Sequence, residues 1–331
     1  MIDIGDKEKA MSYQKENFIR IKAEYSKKYI KAQQKANERR AELYAKIPEL
    51  PMLDAKLSRT GMEIMSAVMA GGNTAENLAK VRVHNEELLA ERAALLRANG
   101  YPENYSDVQY ECPKCGDSGY VDTKMCDCMK RALIEAGYES SGLGGLIRTQ
   151  SFENFSLDYY SHTVEAKERM ESSFRTLRSF AENFSNDTYK NFLLVGKTGL
   201  GKTHLSTAVA KTVIERGYDV LYVTALGMIG DFEARRFGDG SGVRNDPARY
   251  TEAELLIIDD LGTEVTNQFT IACLYDVINV RMNQRRSTII NTNVGLREFE
   301  PRYSERITSR LFGEYNPIVF EGKDIRMQRR K

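Results

Sequence analysis

The run Gly196-Lys197-Thr198-Gly199-Leu200-Gly201-Lys202-Thr203 has the residue types and spacing of a phosphate-binding loop. Glycines let backbone N–H groups converge on phosphate oxygens, and a helix starting at the end of such a loop adds the positive end of its dipole. Lys202 would supply a mobile positive charge to the β- and γ-phosphates of ATP, and the Thr203 hydroxyl would be a ligand of Mg2+. Farther on, Leu255-Leu256-Ile257-Ile258 ends in Asp259-Asp260, two carboxylates at the end of an apolar run. Asp259 would hold magnesium, directly or through water, and Asp260 would orient or deprotonate an attacking water. The plainer alternative for this pair is helix capping or a solvated turn.

A second chemistry is written in Cys112-Pro113-Lys114-Cys115 and Cys126-Asp127-Cys128. Four thiolates at such spacing can surround Zn2+ tetrahedrally, and a closed four-cysteine site is structural rather than catalytic. Redox chemistry, unligated thiols and an iron–sulfur cluster stay open as alternatives. The fifth cysteine, Cys273, lies far away in an apolar helical stretch, so the set does not spread like a disulfide framework.

These residues need elements to position them. The loop follows the apolar run 192–195 and leads into a good helix former from His204 to Ala210, the strand–loop–helix context that gives the motif its meaning. Further apolar runs at 220–223, 255–258 and 288–291 alternate with helical stretches, which predicts buried strands of a parallel α/β sheet. Asp259 and Asp260 then emerge at the carboxyl edge, where ligands of open α/β sheets bind. The first hundred residues instead read as all helical: a long basic helix ended by Pro48 and Pro51, a second from Asp54 to Met69, and a third from Thr74 as N-cap to Gly100 as C-cap.

Lys and Arg number 48 against 47 Asp and Glu in 331 residues, so no global field drives the chain onto nucleic acid or membrane. The local exception is 7–46, with twelve basic residues and five acidic ones. Its apolar Met11, Phe18, Ile21, Tyr25, Leu43 and Ile47 recur at helical spacing, so one face packs while a solvated basic face or a DNA contact occupies the other. No apolar run reaches the ~18 residues of a membrane helix. The start, Met1-Ile2-Asp3-Ile4-Gly5-Asp6-Lys7, lacks a secretory h-region, which predicts a cytoplasmic protein with no membrane partner.

At Ser151-Phe152-Glu153-Asn154-Phe155, at Gly199-Leu200-Gly201-Lys202-Thr203-His204-Leu205 and at Ile257-Ile258-Asp259-Asp260-Leu261-Gly262, the sequence resembles AAA+ ATPases of the DnaC/DnaI type. These are loaders of the replicative helicase, related to IstB-type transposition helpers. The resemblance covers roughly 150–330 and implies an AAA+ P-loop core. It implies a sensor 1 amide at Asn293, with Asn291 as alternative, and an arginine finger at Arg306, with Arg310 as alternative. It further implies a sensor 2 arginine at Arg326, and it carries His204 among the nucleotide-site residues, with packing as its plainer duty. Asp260 stands where most AAA+ enzymes have glutamate, and Glu264 is a nearby carboxylate without a role.

The expected organisation is a helical, zinc-bearing partner-binding domain (1–135), a Gly/Ser-rich linker (136–150) and an ATPase domain (151–331). By resemblance, the chain would be an ATPase that self-associates through its ATPase domain, binds a DnaB-type replicative helicase and loads it onto single-stranded DNA. A transposition helper ATPase acting on duplex DNA is the alternative. Arg281, Arg285, Arg286 and the run from Arg326 to Lys331 are candidate single-strand contacts.

Overall fold

The computed structural model describes residues 14–69, 74–238 and 246–328. Of the residues singled out above, Met1 to Lys7, Met11 and Arg329 to Lys331 lie outside the described ones. The chain forms two compact units, Lys22–Cys128 and the remainder, in which the residues up to Ile21 join those from Met129 onward.

In the Lys22–Cys128 unit, helix α1 (Lys15–Lys46) continues through its basic stretch, and α2 (Leu50–Met69) and α3 (Thr74–Ala98) follow it and pair with each other. Buried Tyr25, Ala32, Ala36 and Leu43 fall on a stripe of seven- and four-residue steps along α1, and Ile47, just past its end, continues it. Leu43 and Ile47 close a small core with Leu50 and Leu96. The basic helix ends at Lys46, just before Pro48, as expected, while Pro51 already sits at the second position of α2, where its missing N–H costs nothing. A two-stranded ribbon, β1 (Tyr120–Val121) and β2 (Lys124–Met125), follows.

The second unit is built on five parallel strands: β3 (Asn191–Val195), β4 (Val220–Thr224), β5 (Leu255–Leu261), β6 (Ser287–Thr292) and β7 (Tyr315–Val319). Their order is β4-β5-β6-β3-β7. The inner strands β3 and β6 are buried at every residue, as a sheet covered on both faces requires. Helices α6 (Val164–Glu182), α7 (Lys202–Glu215), α8 (Ala225–Phe237) and α10 (Gln268–Asn283) cover the faces, with short α9 (Arg249–Glu252) before β5. After β6 come α11 (Phe299–Tyr303) and α12 (Glu305–Glu314), and α13 (Ile325–Gln328) follows β7. The expected parallel α/β core and mostly helical front are both present.

Two stretches depart from the sequence reading. Residues 136–150 hold the end of helix α4 (Asp127–Ser140) and the short α5 (Leu146–Thr149), and Leu143 and Ile147 are buried in the sheet unit's core rather than forming an exposed tether. Arg281 is no nucleic-acid contact. It is fully buried at 0% exposure, donating to the carbonyls of Ala253 (2.7 Å), Ser287 (2.6 Å) and Tyr250 (3.1 Å) and to Thr288 Oγ1 (2.9 Å). Burial pulls its pKa down to about 9.

Candidate nucleotide site and cysteine cluster

The loop joins β3 to α7, and Gly201 serves as N-cap at φ 87°, a left-handed conformation; a Cβ there would also fall 2.7 Å from the Tyr160 hydroxyl. Tyr160 in turn donates to Leu200 O (2.5 Å), and the Ile325 N–H donates to Gly199 O (2.9 Å). Residues before the sheet and after its last strand therefore both hold the loop. Lys202 is buried, with Nζ on Gly196 O (2.6 Å) and Lys197 O (2.9 Å). Burial lowers its pKa, while Asp259 and Asp260 push back.

Thr203 and Asp259, the expected magnesium pair, meet: Thr203 Oγ1 donates to Asp259 Oδ2 at 3.0 Å. Asp259 is 2% exposed. Its Oδ2 also accepts from the Tyr222 hydroxyl, and its Oδ1 accepts from Asn291 Nδ2 (2.8 Å) and its neighbour's backbone, Asp260 N (3.0 Å). Tyr222 had no signal in the sequence, being one aromatic in a buried run. Burial and then the Asp259 charge hold its hydroxyl far above the ordinary range, so it remains a donor. Asp260 sits in the left-handed region at φ 54°, where β5 and β6 slip register, and it lines the cleft. Burial, and then Asp259, raise its pKa, against Lys202 and Arg326.

The cleft measures about 270 Å³ and is lined by Thr198 to His204, Asp260, Ile325 and Arg326, with Asn154 and Phe155 among the residues opposite. Arg326 thus reaches the loop side. His204 Nε2 lies 3.0 Å from Ser151 O and 2.8 Å from Asn154 Oδ1, with its ring edge-on to Phe155, so it fastens the 151–155 motif beside the loop. Of the two amides, Asn291 is buried between Ser206 and Asp259, whereas Asn293 is exposed past the end of β6, near Gly262. Glu264 is buried and turned to Gly262 N (2.9 Å) and the Tyr303 hydroxyl. Arg306 and Asn293 do not line the cleft. Arg306 is exposed, and its guanidinium makes no ion pair or hydrogen bond among the described residues, while Arg310 is tied to Tyr275 and Asn279.

The thiols of Cys112, Cys115, Cys126 and Cys128 all lie within 4.8 Å of one another. Zinc about 2.3 Å from each of four sulfurs places them about 3.8 Å apart. The Cys112–Cys126 and Cys115–Cys128 separations are 3.9 and 3.6 Å, so the set is compatible with that ion. Asp117 braces the turn by accepting from Cys112 N (2.7 Å) and Glu111 N (2.9 Å). A backbone hydrogen bond from Cys115 draws the Cys112 thiol down to about 7, and burial pushes Cys128 up.

A family model described as IstB-like ATP binding protein matches residues 144–314, more than half of the chain. The chain belongs to this family. As an IstB-like protein it resembles the replicative helicase loader DnaC of Escherichia coli (strain K12), 23% identical over 196 residues, which are 59% of this chain and 76% of that protein. DnaC of Buchnera aphidicola subsp. Baizongia pistaciae is 26% identical over 176 residues, 52% of this chain and 66% of that protein. A crystal structure of the DnaC helicase loader aligns at 26% identity and TM-score 0.43, covering 51% of this chain and 98% of that one. The expected kinship with IstB-type and DnaC-type proteins is borne out, and with it an ATP-binding domain. Among the described residues no helix is long and apolar enough to cross a membrane.

Proposed function

We propose that this protein is an ATP-dependent loader that brings a DnaB-type replicative helicase onto single-stranded DNA, with residues 22–128 as its partner-binding unit. The observation that carries the reading is the similarity to replicative helicase loaders over 59% of the chain, coupled to a P-loop whose Thr203 and Asp259 are already bonded. Phosphates would rest at the N-terminus of α7 and draw Lys202 Nζ from the loop carbonyls. Thr203 and Asp259 would hold magnesium, which when bound neutralises charge on the β- and γ-phosphate oxygens. Asp260 accepts the proton of the water that attacks the γ-phosphorus, and Asn293 or Asn291 orients that water. Arg326 contacts the nucleotide within its own subunit, and Arg306 reaches the site of a neighbouring copy, which supports its choice over the tethered Arg310. Aspartate is one methylene shorter than glutamate, so turnover is slow without a partner. Zinc held by the four cysteines would stabilise the front unit without entering the reaction.

For the single strand, buried Arg281 drops out, Arg285, Arg286 and the run from Arg326 remain candidates, and a further surface joins them. Phe237 is 73% exposed, and the Arg236 guanidinium lies 5.1 Å from its ring and 5.3 Å from that of Phe269, an aromatic and cationic platform for stacked bases. The family model's own name favours a second reading, a transposition helper on duplex DNA. A pull-down with ATP and with ADP against the replicative helicase of the same cell separates them. The loader reading expects nucleotide-dependent capture; no capture in either state, with duplex DNA bound instead, would replace it by the helper.

A further inference from the structure

Strand β4 lies at the edge of the five-stranded sheet, yet its edge is not bare. The backbone N–H of Tyr222 donates to Ser141 O at 2.7 Å. Gly142 follows at φ +81°, and a Cβ there would lie 2.4 Å from Tyr222 O, so only glycine lets the segment run this close. Leu143 and Ile147, both buried in the core, pin it from the far side. On its near side Asn17 Nδ2 donates to Ala136 O (3.1 Å) and Ser140 Oγ (2.8 Å), and Tyr138 donates to Glu215 on α7 (2.7 Å).

The same Tyr222 faces the nucleotide site. Its hydroxyl donates to Asp259 Oδ2, the oxygen that also accepts from Thr203 Oγ1. With Asn291 and the Asp260 N–H on Oδ1, the carboxylate receives four donors, about the number its lone pairs accommodate. Asp260 and Asn291 sit on the inner strands β5 and β6, and Thr203 opens α7 beside the loop. Tyr222 sits on the edge strand β4, where the 136–143 segment holds its backbone N–H.

We infer that Tyr222 is a positioning residue for Asp259, and that the 136–143 segment sets the position of Tyr222, so that a shift of this segment is felt at the magnesium ligand. The inference rests on the reading of Asp259 as that ligand. It makes 136–143, which joins the sheet to the chain leading out of residues 22–128, an input to nucleotide binding rather than a passive connection. A ring that only fills space would behave alike with or without its hydroxyl, which gives the test its discriminating variant.

The full chain would be compared with Tyr222→Phe, Gly142→Ala, the double variant and Asp259→Asn. The readouts are Mn2+ electron paramagnetic resonance titration with a non-hydrolysable ATP analogue, and binding of a fluorescent ATP analogue with and without Mg2+. Tyr222→Phe is expected to weaken metal binding about tenfold, the usual size of a lost partner to a metal-ligating carboxylate, with metal-free nucleotide affinity within about twofold. Gly142→Ala should shift metal binding in the same direction, and should add less than about twofold in the Tyr222→Phe background, since coupled residues are not additive. If Gly142→Ala does not fold, Asn17→Ala loosens the segment from its other side and takes its place. Wild-type metal binding in Tyr222→Phe, with metal binding lost in Asp259→Asn, would overturn the inference alone. Effects of segment and tyrosine that multiply would also overturn it. Unchanged metal binding in Asp259→Asn would bring down the ligand assignment itself.

Discussion

Glu254 carries a carboxyl whose burial, the largest cause, raises its pKa from 4.5 to about 7, with the charge of Asp219 adding to it and a hydrogen bond from Asp219 N (2.6 Å) opposing it. Between those two values the folded chain keeps a proton that the unfolded chain has released. Stability therefore falls as pH rises through this window and is level above it. Glu254→Gln keeps an acceptor for Asp219 N and removes the titration. It should stabilise the protein at pH 8 by about 1–3 kcal/mol more than at pH 5.5, since each tenfold difference in proton affinity between folded and unfolded chain is worth about 1.4 kcal/mol. Thermal unfolding at the two pH values measures this, and equal changes at both would show that the carboxyl does not titrate in that range. At this scale the sequence was most readable where chemistry demands a residue type at a fixed spacing: Lys202, Thr203 and Asp259 came out together. Arg281 was not readable, because two of its acceptor carbonyls lie 28 and 31 residues back in the chain and leave no local pattern. Tyr222 was missed for the same reason: its acceptor is 37 residues downstream.

Elements were legible where length and composition agreed. The runs at 192–195, 220–223, 255–258 and 288–291 each sit inside an observed strand; the first three are apolar or aromatic throughout, and in the last the buried polar Thr288 and Asn291 are hydrogen-bonded. Strand β7 escaped notice: Pro317 interrupts its pattern, which an edge strand tolerates since one side of its backbone needs no donors. Ser140 to Gly145 read as a linker because glycine and serine usually mean flexibility, whereas Gly142 here allows a backbone contact. On the proposed zinc reading, the cysteine turn is the element most dependent on something beyond the chain. Its ribbon has two residues per strand, too little to hold four thiols together unaided. Stripping metal from the full protein with a chelator is expected to speed proteolysis within residues 22–128 by about tenfold or more, while the sheet unit stays protected, since the metal's binding energy is folding energy for its own unit. Mapping the cleavage sites by mass spectrometry tests it; unchanged cleavage in the front unit would mean the thiols bind no structural ion.

For the whole molecule the question is whether one copy completes another's site. Helix α12 begins at a strained Ser304, φ 84°, and presents Arg306 to solvent while fastening Arg310 over Tyr275 at 4.5 Å. An arginine whose guanidinium has no acceptor among the described residues, on a chain whose own cleft already holds Lys202 and Arg326, fits delivery across an interface. Lys202→Ala should remove phosphate binding from its own site and leave its Arg306 intact, and Arg306→Ala should do the reverse. Each variant alone should hydrolyse ATP at a few per cent of the wild-type rate or less, as loss of about 10²- to 10³-fold per catalytic cation implies. Mixed in equal amounts with partner and DNA present, they should recover a substantial share of activity. In mixed assemblies an intact Arg306 on the Lys202→Ala chain faces an intact P-loop on the Arg306→Ala chain. Recovery that grows with total protein concentration would tie turnover to assembly. A mixture no more active than its parts, with both variants still associating, would mean that Arg306 acts within its own subunit or not at all, and Arg310→Ala mixed in the same way would then decide whether the neighbouring arginine does the work.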